Sequence, residues 1–100
     1  MAEVVRIVSL WIHPGQEVAF EAFEREAASI MAVHGGRIER AIRVRGAEGE
    51  SPYEVHVVVF PNESAWESYR VAPKTQNLVQ RRSLIIAKTS IMTGQNAGPY

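Results

Sequence analysis

The residues best equipped for chemistry stand in two short stretches and at one isolated arginine. His56 lies among valines, with Glu54 two positions before it, so in an extended strand the imidazole and the carboxylate share a face. Such a pair can serve as a general base and its orienter. It can equally be a hydrogen-bonded histidine at a subunit interface, and that plainer reading takes precedence. Trp66 and Tyr69 are three apart and share a face if the segment is helical. They could be ordinary core, where truncating a buried tryptophan costs roughly 3–5 kcal/mol. They could instead be the aromatic wall of a ligand pocket, with the tyrosine hydroxyl as polar handle. Core packing is again the simpler reading. Arg82 is the arginine best placed for a buried ion pair or for binding a carboxylate, whereas charges at edges and helix ends mostly meet water.

Composition removes many other chemistries. Lysines plus arginines number 11 and acidic residues 11, so the chain lacks the basic excess of a nucleic-acid binder and no nucleic-acid partner is expected. Every acidic side chain is a glutamate. With no cysteine there is no disulfide, thiolate nucleophile or cysteine-held metal. His13, His34 and His56 have no metal-ligand spacing, so no metal and no cofactor are expected. His13 and His34 stand beside turns and read as solvated or capping residues. The start, Met-Ala-Glu-Val-Val-Arg, does not resemble a signal peptide, and no apolar run is long enough to span a bilayer. The expectation is a cytoplasmic protein with no membrane partner.

These residues must be positioned by strands and helices that the periodicity marks out. Val4 to Ile12 is rich in β-branched residues and stops at Pro14-Gly15, a strand with Val4, Arg6, Val8, Leu10 and Ile12 on one face. From Gln16 the period becomes helical. Phe20, Phe23, Ala27, Ile30, Met31 and His34 recur at three- and four-residue steps, Glu17, Glu21, Glu24 and Arg25 lie on the opposite side, and Gly35-Gly36 ends the helix. Arg37 to Arg45 alternates Ile38, Arg40, Ile42 and Val44 against a charged face, as in an edge strand. Gly46 to Pro52 reads as a hairpin connection, and Tyr53 to Phe60 as a strand apolar on both faces. A second helix follows, capped by Asn62 or by Ser64 with Glu67, and is interrupted at Ala72-Pro73. A short third helix over Lys74 to Arg82, with Leu78 and Val79 inward, leads to a last strand from Leu84 to Thr93.

This order is α+β: a ferredoxin-like βαββαβ antiparallel sheet with helices on one face and the first and third strands central. It makes a single domain over residues 1–94 with a C-terminal tail over 95–100, loose unless a partner subunit holds it. Helices cover one face of such a sheet, yet the central strands are apolar on both. A homodimer through the sheet face is the simplest cover.

His34-Gly35-Gly36-Arg37, the run Val58-Val59-Phe60-Pro61-Asn62-Glu63-Ser64-Ala65, and Tyr69 and Arg82 beyond it carry a resemblance. The chain is similar to small bacterial proteins of unknown function in the dimeric α+β-barrel superfamily, which includes antibiotic biosynthesis monooxygenase-like proteins. The resemblance implies two facing sheets in a homodimer and a small-molecule pocket between sheet and helices. Haem-degrading members of that superfamily use an asparagine on the first strand, a tryptophan on the second helix and a histidine beyond it. Trp66 matches the tryptophan, but Val8 and Gln76 stand at the other two positions, so the resemblance does not extend to haem degradation.

Two functions follow. One is a cofactor-independent oxygenase or isomerase acting on a small hydrophobic or aromatic substrate. Its pocket would be lined by Trp66, Tyr69 and Gln76, with His56 or Arg82 as the polar, candidate catalytic element. The alternative is a non-catalytic dimeric ligand-binding or interaction module. An enclosed cavity of a few hundred Å³ containing a titratable side chain separates the first from the second.

Overall fold

In the computed structural model, which describes residues 3–45 and 50–100, these residues form four strands and four helices. They are β1 (Val4–Ile12), α1 (Glu17–Val33), β2 (Arg37–Arg43), β3 (Glu54–Phe60), α2 (Glu63–Val71), α3 (Pro73–Gln76), α4 (Val79–Ile85) and β4 (Ile86–Gly94). The sheet is antiparallel with order β2-β3-β1-β4, so the two strands apolar on both faces are the central ones. The hairpin connection expected over residues 46–52 falls partly at 46–49, outside the described residues. No helix among the described residues is long and apolar enough to cross a membrane.

The pairing of β1 with β3 sets both faces. Val4↔Phe60, Arg6↔Val58, Val8↔His56 and Leu10↔Glu54 lie under the helices. Val5↔Val59, Ile7↔Val57 and Ser9↔Val55 lie on the opposite, open face. Phe20, Phe23, Ala27 and Ile30 of α1 pack onto Leu10, Leu78, Ile85 and Ile86. Phe60, Val58 and Met31 form a second cluster against Trp66 and Tyr69.

Two local departures from simple alternation reshape the periphery. In β2 the register shifts between Ile38 and Arg40, so Ile38 pairs with Val58 under the helices while Ile42 pairs with Val55 on the open face. The expected aliphatic face is therefore split by a bulge, and Arg43, read as outward, arrives opposite Glu54 on the helix side. At the other end, α4 runs on to Ile85, two residues into the expected last strand. Ile85 and Ile86 are both buried while Leu84 is 73% exposed. Strand alternation would put Ile85 and Ile86 on opposite faces, so a helix-to-strand junction buries more apolar surface than β-propensity recommends. Val79, read as inward, is 53% exposed.

Helix ends follow their capping chemistry. Asn62, rather than Ser64, caps α2, its side chain accepting from the Ala65 amide at 2.8 Å. Pro73 opens α3 because proline needs no amide donor there. Arg6, on the buried face of β1, pairs with Glu63 and lies 5.1 Å over the Trp66 ring, tying the first turn of α2 to the sheet.

Gly35 closes α1 in the left-handed region at φ 81°, and the Gly36 amide returns to the Met31 carbonyl at 2.9 Å. Gly36 is also pressed against the Phe60 ring, and a Cβ there would overlap it. Gly36→Ala is accordingly expected to cost about 1–3 kcal/mol through overpacking, read as a lower urea midpoint at unchanged slope.

Candidate functional site

Between the sheet and α1–α4 lies a cavity of about 430 Å³, within the usual range for small-molecule sites. Its floor includes Leu10 and Val58, its α1 wall Phe23 and Met31, and its far wall Trp66 and Tyr69. Both aromatics face the sheet, in edge or tilted contact with Phe60 at 5.4 Å between ring centroids. Gln76 stands at the rim, its amide donating to the Arg70 carbonyl at 2.8 Å. Val8, Trp66 and Gln76, the positions aligned with the haem-degrading triad, do converge on this cavity. The residues at two of them lack the required side chains.

The polar side of the cavity centres on His56. It is 3% exposed and sits on the helix face of β3, not on the open face, so it is not the interface histidine expected. Parity decides this: His56 pairs with Val8 and shares its side with Glu54, Val58 and Phe60. The imidazole Nε2 lies 2.5 Å from Glu54 Oε2. Glu54 Oε1 accepts from Arg43 Nε at 2.9 Å and lies 2.8 Å from Arg43 Nη2. Arg43 in turn rests 4.3 Å over the Tyr53 ring, which meets Phe20 edge-on. An acceptor-only carboxylate on Nε2 leaves Nδ1 directed to the other side. There it faces Glu24 Oε1 at 3.6 Å.

Glu24 is the member that periodicity assigned to the outside. Its side chain is only 16% exposed, and it lines the cavity. The signal was present: Glu24 follows Phe20 by four and precedes Ala27 by three, so it shares their helical stripe. Its charge drew it to the solvent side of the reading. Burial raises its pKa above the ordinary 4.5, with Glu54 adding to the effect, while His56 and Arg82 oppose it. Burial likewise pushes the Tyr69 phenol up to about 12, so this cavity hydroxyl stays a donor at neutral pH.

Arg82, on α4, also lines the cavity, but among the described residues it has no ion-pair partner. Its Nη2 donates instead to Thr89 Oγ1 at 2.7 Å. His13 is exposed, near the Ser83 carbonyl at 3.2 Å, and His34 packs edge-on to Tyr69. Neither joins the site. Among the described residues no group of three or more metal-ligating side chains is placed to hold a metal ion.

A raised folded-state pKa means that folded Glu24 binds its proton more tightly than unfolded Glu24 does. Stability is then lost as pH climbs from the unfolded value near 4.5 through the folded one. Glu24→Gln should unfold at higher temperature than the parent at pH 8, with the advantage shrinking toward pH 4. Each kcal/mol recovered corresponds to roughly 4–8 °C in a domain of this size. Thermal melts across that pH range measure it, and a gap that widens on acidification contradicts the assignment.

No protein-family profile matches the sequence, and no curated protein does. Solved structures do resemble the fold. A dabb-family protein with a ferredoxin-like fold from Mesorhizobium loti superposes with a TM-score of 0.72 at 15% identity, over 98% of this chain and 100% of that one. A candidate antibiotic biosynthesis monooxygenase from Bacteroides thetaiotaomicron gives 0.75 at 19% identity, over 98% and 92%. SnoaB, a cofactor-independent oxygenase from Streptomyces nogalater, gives 0.75 at 14% identity, over 99% and 97%. The chain shares with these proteins the ferredoxin-like α+β fold.

Proposed function

We propose that the protein is a cofactor-independent enzyme, an oxygenase or an isomerase, that removes a proton from a small hydrophobic or aromatic substrate. The observation that carries this reading is Glu24: a carboxyl with a raised pKa, facing both an apolar cavity and His56. A fold does not need a carboxyl there, and burying one costs stability; sites that do so are disproportionately catalytic. The structural likeness to a named cofactor-independent oxygenase agrees with the reading. Fold likeness alone would not support it.

Ionised Glu24 acts as the base toward a C–H made acidic by a neighbouring carbonyl or phenol. The negative charge that develops on the substrate oxygen is met by the Tyr69 hydroxyl, which remains protonated. His56, held by Glu54, lies behind Glu24 with its Nδ1 3.6 Å from the carboxylate and fixes the polar side of the cavity there. An isomerase returns the proton to a different carbon. An oxygenase passes the carbanion's electrons to dioxygen. In either case the rate rises with pH as Glu24 ionises, and the raised pKa places that limb above the range of an ordinary glutamate.

The open sheet face supports a homodimer as the second part of the proposal. Val5, Ile7, Trp11, Val55 and Val57 form its centre, with Met92 59% and Ile42 47% exposed at its margins. The tail residues Gln95, Asn96 and Ala97 border one end of it. A second copy placed sheet to sheet covers the remainder.

With 2-tetralone as probe in deuterated buffer, the protein should accelerate exchange at the carbon next to the carbonyl. Glu24→Gln should lose about 10²–10⁴-fold of that rate. Exchange no faster than in buffer sinks the catalytic reading, and binding of the probe without exchange assigns the cavity to the non-catalytic module. Oxygen uptake during the same assay distinguishes oxygenase from isomerase.

Sedimentation at micromolar concentration should show a dimer that Ile7→Lys converts to a folded monomer. A stable monomer in the parent protein refutes the sheet-to-sheet pairing.

A further inference from the structure

Arg82 is unlike the other arginines. Arg6, Arg25, Arg37, Arg43, Arg70 and Arg81 each have a carboxylate within 4.0 Å. Arg40 and Arg45 are exposed to solvent. Arg82 is half-buried in the cavity wall, and no carboxylate among the described residues pairs with it. Its hydrogen bond to the neutral Thr89 hydroxyl fixes the position of the guanidinium without neutralising it. The guanidinium carries five N–H donors in a planar fork, a surface shaped for the two oxygens of a carboxylate.

The nearby charges fit this. Glu24 and Tyr69 both feel Arg82 across the cavity, and among the described residues Glu24 forms no direct ion pair with it. Much of the wall is apolar or aromatic, including Leu10, Phe23, Met31, Val58 and Trp66, and His56, Thr75 and Gln76 add polar groups to it. A half-buried guanidinium without a carboxylate partner, beside such a surface, gains a charge-assisted pairing once an anion arrives.

We infer that Arg82 is the specificity-determining residue of the cavity and that its ligand is an amphipathic carboxylic acid. The carboxylate sits on the Arg82 guanidinium and the apolar body lies against Phe23, Met31 and Trp66. This names the substrate class for the function proposed above and rests on that reading only in calling the occupant a substrate. Thr89 is a positioning residue, since it touches Arg82 and acts through it.

The test uses two probes of the same shape, 4-butylbenzoate and its neutral counterpart 4-butylbenzamide, titrated by calorimetry at pH 7.5. The parent protein should bind the acid about tenfold or more tightly than the amide. Arg82→Met should bring the two within about twofold of each other. Arg82→Lys should restore part of the preference, because it returns the charge without the fork. If Arg82→Met does not fold, Thr89→Val supplies the same reading, a reduced preference for the acid at unchanged amide affinity. Equal binding of the two probes by the parent overturns the inference. So does a preference that survives Arg82→Met, or a failure of both probes to bind. Because the assay reads binding alone, a protein that prefers the acid yet catalyses no proton exchange would lose the catalytic reading and keep this one.

Discussion

The antiparallel register between β1 and β3 is the constraint on which everything else in this molecule depends. One residue of slippage would send Phe60, Val58 and Leu10 to the open face and Val5, Ile7 and Val57 under the helices. Because both sets are apolar, hydrophobicity alone does not choose between them. The choice is made by the larger side chains, which fill the space beneath α1 and α2, and by the polar ones. Arg6 reaches Glu63 at the start of α2, and Glu54 and His56 find partners only on the helix side. The buried polar groups thus specify the register as well as furnish the site.

The same polar chain links an irregularity at the sheet edge to the cavity at its centre. The bulge between Ile38 and Arg40 reverses the parity of β2, and that reversal delivers Arg43 to Glu54. Without it Ile42 would occupy the Arg43 side, and Glu54 would be a buried carboxylate lacking its guanidinium. Such a group costs far more than a bulge. Glu54 then holds His56, and His56 meets Glu24. Charge thus adds a link between α1, β2 and β3 to the strand pairing and aromatic packing that already hold them together.

Stability and chemistry pull in opposite directions at the cavity. Phe60, Phe20 and Leu10 are closely packed, with each no more than 2% exposed. A few ångströms away the helices stand off the sheet and leave space lined by Glu24, Tyr69 and Arg82. The segmented helices α2, α3 and α4, broken at Pro73, make this possible. A single long helix would lie flat on the sheet and fill the gap.

By itself the sequence determined the four strands and the first two helices in their order, the central placement of β1 and β3, the interruption at Pro73 and the inward direction of Trp66 and Tyr69, while the single third helix expected over Lys74 to Arg82 is two, α3 and α4. These follow from local periodicity, capping and proline stereochemistry, which need no knowledge of distant residues. It held Arg82 and the Glu54–His56 pair as candidates, because residue type and two-residue spacing are visible along a strand. Tertiary structure alone decided which face His56 takes, that Arg43 pairs with Glu54, and that Arg82 has no carboxylate partner among the described residues. It also brought Glu24 inward, against the expectation set by its charge. Each of these is a question of which groups remain to pair once the apolar surface has been buried. Pairing between elements far apart in the chain leaves no periodic trace in any one of them.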